Sequence, residues 1–218
     1  MTRALTPFRF LARLHADTSG LALLEFAFAL PILLVMSLSG AEMTNYITTK
    51  MRMSQVALHL ADNAARIGTG SQLVAKTITE ADINDLFVGA NLQGGELNLQ
   101  ANGRIIVTSL EPTANPNTAG TYKIGWRRCY GAKTTYARQF PTGSGTTGLT
   151  GLGPTGRQVT APDNGATMFI ELYYEYKPIL QTSLSPATSM TEIASMIVRD
   201  RRDLTQVYPV AGVTASTC

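Results

Sequence analysis

Hydrophobic and polar positions divide this chain into three unlike parts. Residues 21–40 carry a single charge, Glu25. At about 1.5 Å per residue, a helix of that length reaches about 30 Å, the hydrocarbon thickness of a bilayer. The run therefore predicts a transmembrane helix over 21–40. Beyond Ala41 the unbroken apolarity ends but a helical period persists. Met53, Val56, Ala57, Leu60, Ala64 and Ile67 share one face, while Gln55, His59, Asp62, Asn63 and Arg66 fill the other. This predicts an amphipathic continuation over 41–68, stopped at Gly68, with its apolar stripe laid on a sheet. Together the two halves, about 47 residues, make a rod of roughly 70 Å.

The third part, 69–218, mixes short patterns. Thr79-Glu80-Ala81-Asp82 offers a capping hydroxyl and first-turn acids for a short helix ending near Gly89. Residues 96–100 alternate apolar and polar, Asn102-Gly103 supplies a positive-φ turn, and 104–110 return, which together predict a hairpin. Residues 122–130 and 167–176, rich in aromatic and β-branched side chains, predict two further strands. Residues 192–199 are a fifth candidate, although their Ala, Ser and Met content leaves a helix open. Residues 112–120 and the Gly-, Thr- and Pro-dominated 140–165 read as connections that the fold tolerates without needing, the longer one mobile. The expected fold class is α+β: one long N-terminal helix packed on an antiparallel sheet of four or five strands.

Charge narrows the partners. Of 18 basic and 15 acidic residues, Arg3, Arg9, Arg13 and Asp17 lie in the first twenty, so the remainder holds 15 against 14, a net of +1. That is no nucleic-acid footprint, which needs clustered Lys and Arg to neutralise phosphates. The three arginines ahead of the apolar run place the N-terminus in the cytoplasm by the positive-inside rule, and residues after about 40 outside. Cys129 and Cys218 lie in that outer part, too far apart for a Cys-x-x-Cys redox or zinc pattern. They allow one disulfide in an oxidising compartment, or else remain two buried thiols.

Signals for chemistry are weak. Gly143-x-Gly145-x-x-Gly148 and Gly151-x-Gly153-x-x-Gly156 both match a dinucleotide fingerprint, but neither closes a strand and opens a helix, so composition accounts for them. His15 falls in the leader and His59 on the polar face of the rod, neither beside a nucleophile. No metal-ligand spacing occurs, and no cofactor is implied. The run Arg199-Asp200-Arg201-Arg202-Asp203 alternates in sign and reads as a solvated turn or edge.

One arrangement is more specific. A basic leader, Gly20, four apolar residues, then Glu25 and Phe26 resemble the processing site of type IV pilin-like proteins, which a membrane peptidase cuts after the glycine. The continuation through 24–34, with Pro31, and its end in Gly40-Ala41-Glu42 are similar to the TadE-like minor pseudopilins of the Tad (Flp) pilus system; the likeness covers residues 13–60. The resemblance implies a pilin-like fold and a bacterial inner-membrane protein divided into a cytoplasmic leader (1–20), a transmembrane helix (21–40), its amphipathic continuation (41–68) and a periplasmic domain (69–218). It further implies cleavage between Gly20 and Leu21 by a prepilin peptidase, and a non-enzymatic role in pilus biogenesis. The implied partners are the major pilin and other pseudopilins, the assembly platform and membrane lipid, with Glu25, Phe26 and Pro31 acting in assembly.

Two competing readings accompany it. Ser37-Leu38-Ser39 offers small residues to a conventional signal peptidase, which would leave Gly40 at the mature N-terminus. The corresponding function is a secreted or membrane-anchored periplasmic binding protein whose Gly/Thr loop contacts a ligand. Against that, Glu25 lacks a purpose in a signal peptide. After cleavage at Gly20, the α-ammonium of Leu21 lies one helical turn from Glu25 and can meet its carboxylate or a neighbour's. Such pairing offsets the cost of a membrane acid, about 2.5–3.5 kcal/mol at mid-bilayer and less near the interface. Pro31 deprives the Ala27 carbonyl of its partner, which predicts a kink or loosening there.

Overall fold

The computed structural model describes residues 20–71, 74–141, 145–181 and 185–218. The expected leader, apart from Gly20, and Gly143 of the first glycine match lie outside them. Helix α1, Leu21–Ala64, runs 44 residues without a break. It merges the apolar and the amphipathic halves. Met53, Val56, Ala57, Leu60, Ala61 and Ala64 form its buried stripe. The helix ends three residues before the expected Ile67, in a turn where the Ala65 N–H bonds Ala61 O (3.0 Å) and the Arg66 and Ile67 N–H groups both bond Asn63 O (2.9 and 3.0 Å). The Arg202 guanidinium then takes the Ala64 and Ile67 carbonyls, at 3.2 and 2.9 Å, satisfying acceptors that the last turn leaves open.

Helix α2, Glu80–Gly94, starts with the expected capping box. The Thr79 N–H bonds Asp82 Oδ2 (2.9 Å) and the Asp82 N–H bonds Thr79 Oγ1 (3.2 Å). It passes through Gly89, where a stop was expected, because Ala90 beyond it is buried against the core. Glu80 is buried and receives the Arg128 guanidinium, with Nε at 2.9 Å, which ties the start of α2 to the sheet.

The expected hairpin at 96–110 does not form. Gly95–Leu97 is a 3₁₀ turn and Leu99–Asn102 a single helical turn, α3, joined at Asn98 in the left-handed conformation (φ 45°, ψ 66°). The Asn98 side chain accepts the Ala101 N–H at 3.3 Å. Alternation misled because Leu97 and Leu99 are both core residues. The corner at Asn98, where a short polar side chain tolerates positive φ, lets both be buried without a strand.

Four strands follow: β1, Gly103–Pro112; β2, Tyr122–Tyr130; β3, Thr167–Glu175; and β4, Ser189–Ile197. The last resolves the fifth candidate as a strand. They form one antiparallel sheet in the order β2-β1-β3-β4, with Val107 opposite Arg128 on one side and Ile170 on the other. The fold is thus α+β with a pilin-like layout. One face, with Ile105, Val107, Met168, Ile170, Leu172 and Ala194, is covered by α1 and α2.

The other face carries the correction for 140–165. Leu110 and Phe169 there are buried under Leu152 and Ala161, with Phe140, Leu149 and Val159 packed around them. The described part of that stretch is therefore a strap that completes the core. Gly153, at φ 124°, leaves room for the Phe169 ring, 3.5 Å from where a Cβ would stand. Gly156, at φ 80°, sits third in a turn closed by the Arg157 N–H on Pro154 O (2.9 Å); this is the positive-φ position of a type II turn.

Candidate functional site

The first turns of α1 stand clear of the other described residues. Residues 21–41 are exposed except for half-buried Leu30, although nearly all are apolar. A soluble monomer seldom shows so long an uncovered apolar surface. Among the described residues, α1 is the one helix long and apolar enough to cross a membrane, and none of its apolar window is buried in the chain. Gly20 begins the helix, its carbonyl accepting the Leu24 N–H at 3.1 Å. Leu21, Glu25 and Phe26 project from the first two turns, and Glu25 makes no ion pair within the described chain. The helix continues through Pro31, so the missing N–H removes one bond without dividing the rod.

Where the rod enters the domain, a buried carboxylate anchors it. Glu42, 6% exposed, accepts the Tyr176 hydroxyl on Oε1 (2.7 Å) and the Ile179 and Leu180 N–H groups on Oε2 (2.8 and 3.2 Å). Asn45 Nδ2 donates to the same Tyr176 oxygen at 2.8 Å, and the Tyr46 ring meets the Tyr176 ring edge-on, centroids 5.3 Å apart. The Tyr176 hydrogen bond above all, helped by the two backbone N–H groups and opposed by burial, holds the Glu42 carboxyl below its ordinary range. Burial, and then the bond to Glu42, push the Tyr176 phenol up to about 12. The sheet domain thus grips α1 at two points, Glu42 at the base and Arg202 at the far end. Burial lowers the Arg202 guanidinium to about 10, with Asp200 opposing the shift.

Neither grip was legible beforehand. Glu42 stood in the sequence only as the acidic end of the apolar stretch, and its partner Tyr176 lies 134 residues on. Arg202 was expected in a solvated run, yet it is buried among helix carbonyls. Its neighbours are also engaged: Lys76 reaches Asp200 at 2.6 Å, and the Tyr208 hydroxyl reaches Asp203 at 2.6 Å. An arginine inside a run of mixed charges gives no local sign of facing inward.

The cysteines form a separate assembly. Cys129 and Cys218 are joined, with Cα atoms 4.8 Å apart. The tail lies along β2, the Cys129 N–H bonding Ser216 O at 2.8 Å, and against α2, the Asn84 side chain bonding Thr214 O at 3.0 Å. The bridge belongs to the sheet domain, far along the chain from Glu25.

Other titratable groups serve packing. His59 is exposed, its Nδ1 2.6 Å from Gln93 Nε2, with no nucleophile beside it. Glu171, under the strap, accepts the Gln139 and Phe140 N–H groups at 2.7 and 3.3 Å; burial raises its carboxyl against those bonds. Arg127 donates to Phe140 O of the same strap (3.2 Å) and to Thr108 Oγ1 on β1 (3.0 Å). Among the described residues no three His, Cys, Asp or Glu side chains gather to hold a metal. Gly151, Gly153 and Gly156 lie in the strap with no helix after them.

No known protein family, curated protein or solved structure matches this chain.

Proposed function

We propose that this chain is a non-enzymatic, membrane-anchored assembly protein of the TadE-like minor pseudopilin kind. In this reading it is trimmed after Gly20 by a prepilin peptidase and acts with the major pilin, other pseudopilins and the assembly platform in Tad (Flp) pilus biogenesis. The observation that carries it is the uncovered apolar face of α1, which follows Gly20 and bears Glu25 as its fifth residue, with no ion-pair partner among the described residues. An acid so placed needs a cation from elsewhere, and a new α-ammonium on Leu21 or on a neighbouring subunit supplies one. The rigid grip at Glu42 and Arg202 supports a role in which the membrane helix and the periplasmic domain move as one piece during assembly.

The binding-protein alternative is less well served, since the strap's apolar side chains are spent on Leu110 and Phe169 and leave the loop little to offer a ligand. Intact-mass measurement of protein extracted from membranes separates the readings. A mature N-terminus at Leu21 is expected. Gly40 would point to conventional secretion, and uncut Met1 to a plain signal anchor; either result overturns the proposal.

A further inference from the structure

The loop of Lys177, Pro178, Ile179 and Leu180 gives two backbone N–H groups to the Glu42 grip, which fastens it to α1 at the end of the apolar span, while the Lys177 and Ile179 side chains take no part in that grip. Glu42 lies two residues beyond Gly40, about 3 Å along the helix axis. The Ile179 and Leu180 N–H groups sit on its carboxylate at 2.8 and 3.2 Å. The headgroup layer on each side of a bilayer is roughly 5–7 Å deep, so this loop stands at headgroup depth whenever the span fills the hydrocarbon. Ile179 is 65% exposed there, and Lys177 is exposed beside it. On the adjoining helix surface Met43 and Ile47 are also exposed. The Tyr46–Tyr176 pair one turn further on has the amphipathic character that aromatic residues bring to membrane interfaces.

From this placement we infer that the 177–180 loop is a second membrane contact. Ile179 enters the boundary between headgroups and acyl chains, Lys177 meets lipid phosphates, and Glu42 holds the loop at that depth. The inference rests on the membrane-spanning reading of 21–40. The occupant is lipid because the loop continues the surface of the span and combines an apolar tip with a cationic neighbour, the pattern of an interfacial anchor. A second attachment beside the helix restricts how the periplasmic domain tilts and turns on its anchor. It would present the same domain face to partners in every copy.

The test uses the full chain in vesicles of phosphatidylethanolamine and phosphatidylglycerol. An environment-sensitive fluorophore is placed singly on Ile179→Cys, Val35→Cys or Leu92→Cys, without reductant. Leu92 is the aqueous control: it is exposed and adjoins Gln93, which touches His59, about 28 Å up the helix from Gly40. The probe at 179 should show blue-shifted emission, several-fold stronger quenching by shallow spin-labelled lipid than the probe at 92, and protection from iodide. Adding Glu42→Ala should reduce that lipid quenching; no change would overturn the positioning role of Glu42. A 179 probe as iodide-accessible as the 92 probe, with the 35 probe still in lipid, would overturn the loop contact and leave the anchor standing. Iodide access at 35 would overturn both.

Discussion

Replacing Leu152 with Ala separates a structural strap from a dispensable loop. Leu152 has no exposure and is surrounded by Leu110, Ala161 and Phe169, with Val159 bonded to it in both directions, N–H to O, at 2.9 and 2.8 Å. The substitution removes three carbons; at about 0.8 kcal/mol for each, the lost transfer energy is about 2.4 kcal/mol. The site collapses poorly, since strands β1 and β3 form its floor and the two-way bond to Val159 holds the strap above it. The cavity term then brings the loss to about 3 kcal/mol, within the usual range for buried Leu→Ala changes. For a chain of this size that lowers Tm by about 6–12 °C. The assay is thermal unfolding of the full chain in detergent, read on Trp126, the one tryptophan, which packs against the helical core. Leu92→Ala, on the exposed face of α2, is the control and should stay within about 0.5 kcal/mol of the parent. If Leu152→Ala also stays within that margin, the strap carries no core and the second face of the sheet has been misjudged.

Three further outcomes are expected. Glu25→Val and Glu25→Gln chains should accumulate in the membrane with an unchanged melting profile but fail to support pili, because they lose an attraction to an α-ammonium of about 4 kcal/mol at 4 Å and an effective dielectric of 20, before desolvation; ordinary piliation by Glu25→Val would sink the assembly role. Denatured, unreduced protein should take up no thiol label, and the Cys129→Ser, Cys218→Ser chain should lose on the order of 4 kcal/mol through a loop of about 90 residues; two labelled thiols per chain would reject the bridge. Tyr176 is raised from 10.0 to about 12, so its contribution is complete below pH 10 and is lost as pH climbs through 12. Denaturant titrations between those values should therefore fall more gently for Tyr176→Phe than for the parent, and equal slopes would contradict the Glu42–Tyr176 bond.

What the sequence determined by itself was whatever a local period can encode. The run 21–40, with one charge, specifies a helix long and apolar enough to span a membrane because length and composition are set residue by residue. Met53 through Ala64 specify the packed stripe because 3.6-residue spacing puts them on one side of α1. The capping box at Thr79 was legible for the same reason, its donors and acceptors lying within three residues. Strands β2 and β3 announced themselves by aromatic and β-branched content, and an α+β class followed.

Tertiary structure decided the rest. The 96–100 alternation satisfies a strand and a helical corner equally well, and only the core volume available to both Leu97 and Leu99 chooses the corner. The strap reads as solvent-facing by composition because its glycines and threonines dominate. Five apolar side chains, Phe140, Leu149, Leu152, Val159 and Ala161, suffice to cover Leu110 and Phe169 once those glycines let the backbone approach. Glu42 and Arg202 became anchors through partners more than 130 residues away. A buried charge is tolerated only where distant donors or acceptors converge on it, and that convergence exists nowhere but in the folded chain.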